Sequence, residues 1–270
     1  MAKKKDPSVT YLNRFGYNVI KLPRVGIEPM DVVGKDETTQ WLGPLRSVWT
    51  SSVAEPTLSA PKPAAQDIGQ RTDQMDISFG IKILANALAA FGATVPSVDV
   101  AFKQARKVQF SYVNVTSTTV SPLEAGNYLA EGKLNTENPV VRHYFTGHES
   151  QAFLIVDVLK SNSITVTATD ERGMEVSLDI PAIQGVVGGN VGVKPGGASS
   201  GTVMFSGPEP VTFGFIVDEI EYDGARWSLS GAAASGDKAF GATAAVGATD
   251  ISTTTATPPI LLGSGCSVRM

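Results

Sequence analysis

Ile164-Thr165-Val166-Thr167-Ala168-Thr169-Asp170-Glu171-Arg172-Gly173-Met174-Glu175-Val176-Ser177-Leu178-Asp179-Ile180 carries the most regular pattern in the chain. Ile164, Val166, Ala168, Met174, Val176, Leu178 and Ile180 share one parity, and Thr165, Thr167, Thr169, Glu175, Ser177 and Asp179 share the other. Successive strand residues point to opposite faces, so this period of two predicts two antiparallel strands around a charged turn at Asp170–Gly173. In a soluble protein one face is core and the other is wet. In a membrane barrel the same alternation sets one face against lipid and the other against a water-filled lumen. Taken alone the soluble reading is favoured, because half-exposed antiparallel sheets are common.

The flanking segments continue the sheet. Lys107 to Thr116 alternates Val108, Phe110 and Tyr112 against Gln109 and Ser111, and Ala152 to Leu159 is a nearly continuous apolar run; both predict strands, with a short helix over Pro122 to Glu131 between them. Val211 to Glu221 and Arg226 to Leu229 predict a hairpin turning at Tyr222-Asp223-Gly224. Ser78 to Phe91 places Ile81, Ile83, Leu84, Ala87, Leu88 and Phe91 almost all round a helix closed by Gly92, so that helix is buried. Near the start, residues 9 to 15 predict a short helix with Leu12 and Phe15 inward, and Tyr17 to Leu22 a strand ended by Pro23. Trp41, Trp49 and Val53 suggest strand pieces, Pro56, Pro61 and Pro63 a mobile stretch, and the Gly/Ser-rich residues 185 to 201 a loop. The fold class is α+β with a mainly antiparallel sheet.

Composition narrows the function. A net charge of -4 supplies no basic field, so no nucleic-acid partner is expected. The single cysteine, Cys266, excludes an intramolecular disulfide framework and a cysteine-based zinc cluster. Met1-Ala2-Lys3-Lys4-Lys5-Asp6-Pro7 has the charged start of a signal peptide without its apolar stretch, so a cytoplasmic location is expected. The apolar run Ile81 to Val95 is interrupted by Lys82, Asn86 and Gly92 and falls short of the roughly 20 residues that span a bilayer. Entry into a membrane would therefore use strands, the other element that satisfies its backbone in lipid.

Catalytic motifs point nowhere. Gly197-Ala198-Ser199-Ser200-Gly201 matches G-x-S-x-G, but that chemistry needs a histidine later in the chain, and His143 and His148 both precede it. His143, His148 and Glu149 fit no common zinc spacing, and neither a Walker phosphate loop nor G-x-G-x-x-G occurs. No enzyme activity, cofactor or metal is expected.

After Ser230 the composition changes. Gly231 to Thr257 is dominated by Ala, Gly, Ser and Thr, with only Asp237, Lys238 and Asp250 charged, and reads as a flexible linker. Pro258-Pro259-Ile260-Leu261-Leu262 follows, an apolar cluster that either docks in a groove or forms a terminal strand completing the core.

Four segments carry a resemblance. Gly16-Tyr17-Asn18-Val19-Ile20-Lys21-Leu22-Pro23-Arg24-Val25-Gly26-Ile27-Glu28-Pro29 is similar to the opening signature of bacterial gasdermins. Ala90-Phe91-Gly92-Ala93-Thr94-Val95-Pro96, Ala105-Arg106-Lys107-Val108-Gln109-Phe110 and Val211-Thr212-Phe213-Gly214-Phe215 leading to Tyr222 follow in the family's order, together spanning about residues 8 to 228. The resemblance implies a twisted mainly antiparallel sheet with flanking helices, like a gasdermin N-terminal domain, plus a short C-terminal autoinhibitory segment. Residues 1–230 would be the pore-forming domain, 231–250 a linker holding a protease site and 251–270 the inhibitory peptide, with Pro259, Ile260, Leu261 and Leu262 as its apolar contacts. The implied partners are an activating protease, the lipid bilayer after cleavage and further copies of the chain in a large ring. Asp250-Ile251 suits a caspase-like protease and Lys238-Ala239 a trypsin-like one, so the cut is expected between Asp237 and Ile251. The implied outcome is death of the infected cell in antiphage defence, with the cut protein moving from cytoplasm to inner membrane.

In such a pore Ile164, Val166, Ala168, Met174, Val176, Leu178 and Ile180 would face lipid, and a second hairpin would fall within about residues 45 to 80. Lys3, Lys4, Lys5, Lys21 and Arg24 would attract anionic lipid. One feature departs from the family: its members commonly carry an acylated cysteine near the N-terminus, whereas Cys266 lies in the tail. Two other classes of function compete. One is a non-catalytic soluble β-rich binding or structural protein, and the other is a hydrolase using Ser199.

Overall fold

A computed structural model describes residues 16–64, 74–93, 98–147 and 150–230. Its spine is an antiparallel pair of long strands, β10 (Gln151–Thr169) and β12 (Thr202–Tyr222). Three short strands line the outer edge of each. β2 (Asp31–Lys35), β8 (Thr116–Thr119) and β7 (Lys107–Val113) run along β10. β13 (Trp227–Ser230), β1 (Asn18–Arg24) and β11 (Gly192–Pro195) run along β12. Among the described residues β3 (Thr39–Pro44), β5 (Lys62–Pro63) and β6 (Met75–Asp76) widen the sheet to eleven strands, while β4 (Trp49–Ser51) and β9 (Gly132–Leu134) pair separately. Every named ladder is antiparallel, so the α+β class with a mainly antiparallel sheet is the fold observed.

The spine bends in the middle. Ser161 faces Val211 but Ser163 faces Ser206, so β12 holds Gly207-Pro208-Glu209-Pro210 out of register. Proline has no N–H to give a ladder and is tolerated where pairing is already broken. Opposite, the buried Ser161 donates from Oγ to the Val113 carbonyl at 2.6 Å and accepts the Ser163 N–H at 3.0 Å, and Asn114, at φ 54°, divides β7 from β8.

This bend separates the apolar interior. At the Thr169 end, here called distal, Ile164, Val166, Val203 and Phe205 of the spine pack with Leu84, Leu88 and Phe91 and with Ile183 and Val187. The first helical set belongs to the region of α1 (Ile77–Ala90), closed by Gly92 at φ 90°, and the second to α4 (Ile180–Val187). At the proximal end, Val32, Leu154 and Ile220 pack on one face with α2 (Pro122–Ala130) and α3 (Pro139–Phe145), and Ile20, Ile27, Val33, Phe153 and Ile155 pack on the other. Ser121 and Asn138 cap α2 and α3, each followed by proline at the first helical position. Asn138-Pro139 was the start signal that would have located α3, which no periodicity marks.

The structure corrects the second limb of the Ile164–Ile180 hairpin. The turn exists: Asp170 Oδ1 accepts from the N–H groups of Arg172 and Met174 at 2.8 and 2.9 Å, and Gly173 takes φ 82°. Beyond one bridge between Thr169 and Glu175, however, Met174 to Asp179 forms no ladder strand. β10 is paired with β7 through Thr169 and with β12 through Thr167, so only its last two residues leave an edge for the returning segment. The segment is held at isolated points, Val176 N–H to the Ala168 carbonyl and Leu178 N–H to the Ser200 carbonyl. Asp179 Oδ1 then accepts from Ala182 N–H at 3.0 Å and starts α4, which places Ile180 in a helix. The 185–201 loop is likewise partly filled, by the end of α4 and by β11. Among the described residues no helix is long and apolar enough to cross a membrane.

Candidate functional site

The amphipathic segment divides into two environments. Ile164, Val166 and Ala168 are wholly buried in the distal core, and Leu178 is 7% exposed there. Val176 and Ile180 are half-buried, and Met174 is 67% exposed. On the opposite parity Thr167 and Thr169 are buried too, with Thr167 Oγ1 3.2 Å from Thr202 Oγ1. Four of the seven residues expected to face lipid are therefore interior, and the other three, Met174, Val176 and Ile180, are exposed or half-buried.

A second feature had no sequence signal of its own. A groove of about 410 Å³ opens beside β2 and β3, with Pro29, Trp41, Pro44, Pro56 and Leu58 as its apolar wall. Asp31 Oδ2 accepts from Trp41 Nε1 at 2.9 Å and from Glu28 N–H at 3.1 Å, which tethers the indole to the residues around Glu28. Burial pushes the Asp31 carboxyl above its ordinary range, opposed by those two hydrogen bonds. Lys160 pairs with Glu28 on the rim, and Arg46 lies 3.4 Å from Glu55 in an exposed pair that contributes little. Met30, behind the groove, holds φ 72°, a strained setting for a side chain of this kind.

The groove is in line with the end of the described chain. Ser230 pairs with Glu219, Glu219 with Phe153, Phe153 with Val33 and Val33 with Trp41. Directly opposed residues share a face, so Ser230 and Trp41 lie on one side of the sheet, four interstrand gaps or roughly 19 Å apart.

A buried carboxyl ties β1 to the spine. Tyr17 Oη and Ser117 Oγ both donate to Asp157, at 2.9 Å each. Burial pushes Asp157 up to about 6, against the pull of those hydroxyls, and burial beside Asp157 raises the Tyr17 phenol. A folded-state value above the ordinary 3.8 favours the protonated form, so its contribution to stability is present at low pH and is lost as pH rises through about 6. Asp157→Asn keeps an acceptor and removes the charge. We expect it to raise Tm by about 2–4 °C at pH 7.5 and to leave Tm unchanged at pH 4, by calorimetry at both pH values. An equal shift at both would show that Asp157 does not titrate in this way.

The sequence of residues 20–232 matches the model of the Bacterial Gasdermin Family. The chain belongs to that family. Its members are known as pore-forming proteins. This gasdermin is 40% identical over 217 residues to a gasdermin of Vitiosangium sp., covering 80% of this chain and 81% of that one. It is 32% identical over 230 residues to a gasdermin of a Desulfuromonadales bacterium, covering 83% and 85%. A solved bacterial gasdermin from Bradyrhizobium tropiciagri has the same fold, with a TM-score of 0.61 at 18% identity over 85% of this chain and 92% of that one. The family match ends two residues after Ser230, where the composition changes.

Lys3, Lys4, Lys5, Lys238, Asp250, Ile251, Pro259, Ile260, Leu261, Leu262, Cys266, His148 and Glu149 lie outside the described residues, as does the helix expected over 9–15. Lys21 lies within β1, and Arg24 ends it opposite Thr212. The two residues a hydrolase would need are at opposite ends of β10. Ser199 Oγ accepts the Gly201 N–H beside Ala168, while His143 Nε2 sits 3.3 Å from Asp36, just past the strand that pairs with Gln151–Leu154.

Proposed function

We propose that this gasdermin is a non-catalytic pore-forming protein held shut by its own C-terminal residues and opened by a protease that cuts between Asp237 and Ile251. The observation that carries the reading is the end of the family match beside Ser230, followed by a linker composition and then an apolar cluster. On this proposal Ile260, Leu261 and Leu262 would occupy the groove lined by Trp41, Pro44 and Leu58, where each side chain would gain about 1.5–3 kcal/mol gross before ordering costs. A tether of this composition over residues 231–257 has a root-mean-square reach of roughly 29 Å, ample for the 19 Å or so along the sheet row. The tethered cluster then sees an effective concentration near millimolar, which falls to the bulk value once the linker is cut.

The freed 1–230 domains enter the bilayer as amphipathic strands. A lone hairpin would leave edge N–H and C=O groups unpaired in lipid at several kcal/mol each, so insertion and ring closure are coupled. The product is a large β-barrel in the inner membrane, with Thr165, Thr167, Thr169, Glu175 and Asp179 toward water, and its biological outcome is death of a phage-infected cell. The activating protease is caspase-like if it cuts after Asp250 and trypsin-like if it cuts after Lys238. Intact-mass analysis after treatment with the cognate protease is expected to place the cut in the 237–251 interval. A cut before Ser230, inside the sheet, would contradict the proposal.

A further inference from the structure

The C-terminal end of α1 is wedged between two glycines from other parts of the chain. Phe91, 2% exposed, and Gly92 close the helix through N–H bonds to the Ala87 and Ala89 carbonyls. A Cβ at Gly207, in the spine bend, would lie 2.6 Å from Phe91 Cδ1. A Cβ at Gly189, between α4 and β11, would lie 2.4 Å from the Gly92 carbonyl oxygen, a backbone atom that cannot turn away. Gly189 also takes φ 68°, which a side chain would strain.

The two helices share one interior. Leu84 and Leu88 of α1 and Ile183 and Val187 of α4 are each 1% exposed or less and belong to the same apolar cluster, laid on Ile164, Val166 and Phe205. Neither helix has a core of its own, so lifting either one exposes the apolar face of the other. The tight glycine contacts leave no space into which one could slide past the other. α1 enters the sheet through β6 and β7, whereas α4 joins β10 to β11, so the contact links two regions distant in sequence.

We propose that α1 and the α4–β11 segment form a single latch on the spine, keyed by Phe91 and Gly92 against Gly207 and Gly189, so that neither region is released without the other. For pore formation, the consequence rests on the function proposed above: both regions become available for membrane entry in one step. The latch itself is a property of the soluble chain and is tested without lipid.

Hydrogen exchange on the full chain reads it directly. Gly189→Ala is expected to speed exchange over 77–93 and over 180–195 by the same factor, about tenfold or more, while 30–35 and 152–156 keep their protection. Acceleration confined to 180–195, or spread evenly over the whole chain, overturns the proposal. The complementary variant carries Phe91→Cys, Gly207→Cys and Cys266→Ser. The Cβ positions at 91 and 207 lie 2.9 Å apart, about 1 Å inside the usual disulfide separation, so a small relaxation admits the bond. Oxidation is expected to slow exchange over 180–195, which contains neither cysteine, and reduction to restore it; slowing limited to α1 refutes the coupling. Trimmed of residues 251–270, the oxidised variant should leave anionic-lipid vesicles intact and the reduced one should breach them. If the oxidised form leaks equally, the latch is wrong and the pore reading stands. If unmodified trimmed protein never leaks, the pore reading fails and the exchange result alone judges the latch.

Discussion

A chain ending at Asp250 is expected to empty dye-loaded vesicles containing anionic lipid at least roughly a hundredfold faster than the full chain at equal concentration, the factor a tether of this kind supplies. Under the autoinhibition proposal the three apolar side chains Ile260, Leu261 and Leu262 would give a separate peptide only weak binding, since ordering costs consume much of their gross gain. Attached through Ser230, about 19 Å from Trp41 along one sheet face, the same residues are never dilute. The full chain should therefore be silent, and a nicked chain should leak only after its peptide departs. Adding excess synthetic 251–270 peptide should slow the leak, and Trp41→Ala should weaken that rescue. Equal leakage from trimmed and full chains would end the autoinhibition proposal, and silence from both would end the pore proposal.

Val176→Asp is expected to abolish leakage of the trimmed protein while moving Tm by only a few degrees. Val176 is half-buried in the described state, so a carboxylate there remains partly hydrated. On the lipid face of a barrel it costs on the order of 2 kcal/mol in each subunit, and a ring pays that in every copy. Neighbouring positions should behave differently, and the structure gives the order. Leu178→Asp places the charge at a site 7% exposed within the distal core and should lower Tm by more than 10 °C, because an unpaired charge there is left without water or partner. Met174→Asp, at a site 67% exposed and next to the turn, should leave Tm unchanged and slow leakage less than Val176→Asp. Leakage with circular dichroism melting of the uncut proteins separates the three. Full activity in Val176→Asp would remove this segment from the membrane.

The places where expectation and structure part have one cause. Asp170–Gly173 forms its turn from local hydrogen bonds and glycine, so it was legible. Met174 to Asp179 alternates as well as any strand, yet a strand needs a free edge, and β7 and β12 leave β10 one only at its last two residues. The 19 residues of β10 read only as an apolar run over 152–159 and an alternating one from 164, because the intervening Ser161-Asn162-Ser163 belongs to the bend. β2 was missed because Asp31 and Gly34 interrupt its pattern; Asp31 is satisfied by Trp41, and Gly34 lies where a Cβ would meet the Tyr144 ring at 2.7 Å.

Local pattern along the chain was enough for the α+β class, a helix over about 78–91, the Tyr222–Trp227 hairpin and the change of composition after Ser230, since each depends on neighbours within a few residues; the helix buries one face, with Leu84, Ala87 and Leu88 inward and Ser78 and Lys82 exposed, rather than its whole circumference. The row from Ser230 to Trp41, the clasp at Asp157 and the contact of Gly92 with Gly189 unite residues from 40 to about 190 positions apart, and the groove at Trp41 gathers several separate segments between Gly26 and Leu58. Those were settled only when the strands took their register, because sheet pairing and side-chain packing choose partners in space, and a one-dimensional pattern records a residue's face without saying what will lie against it.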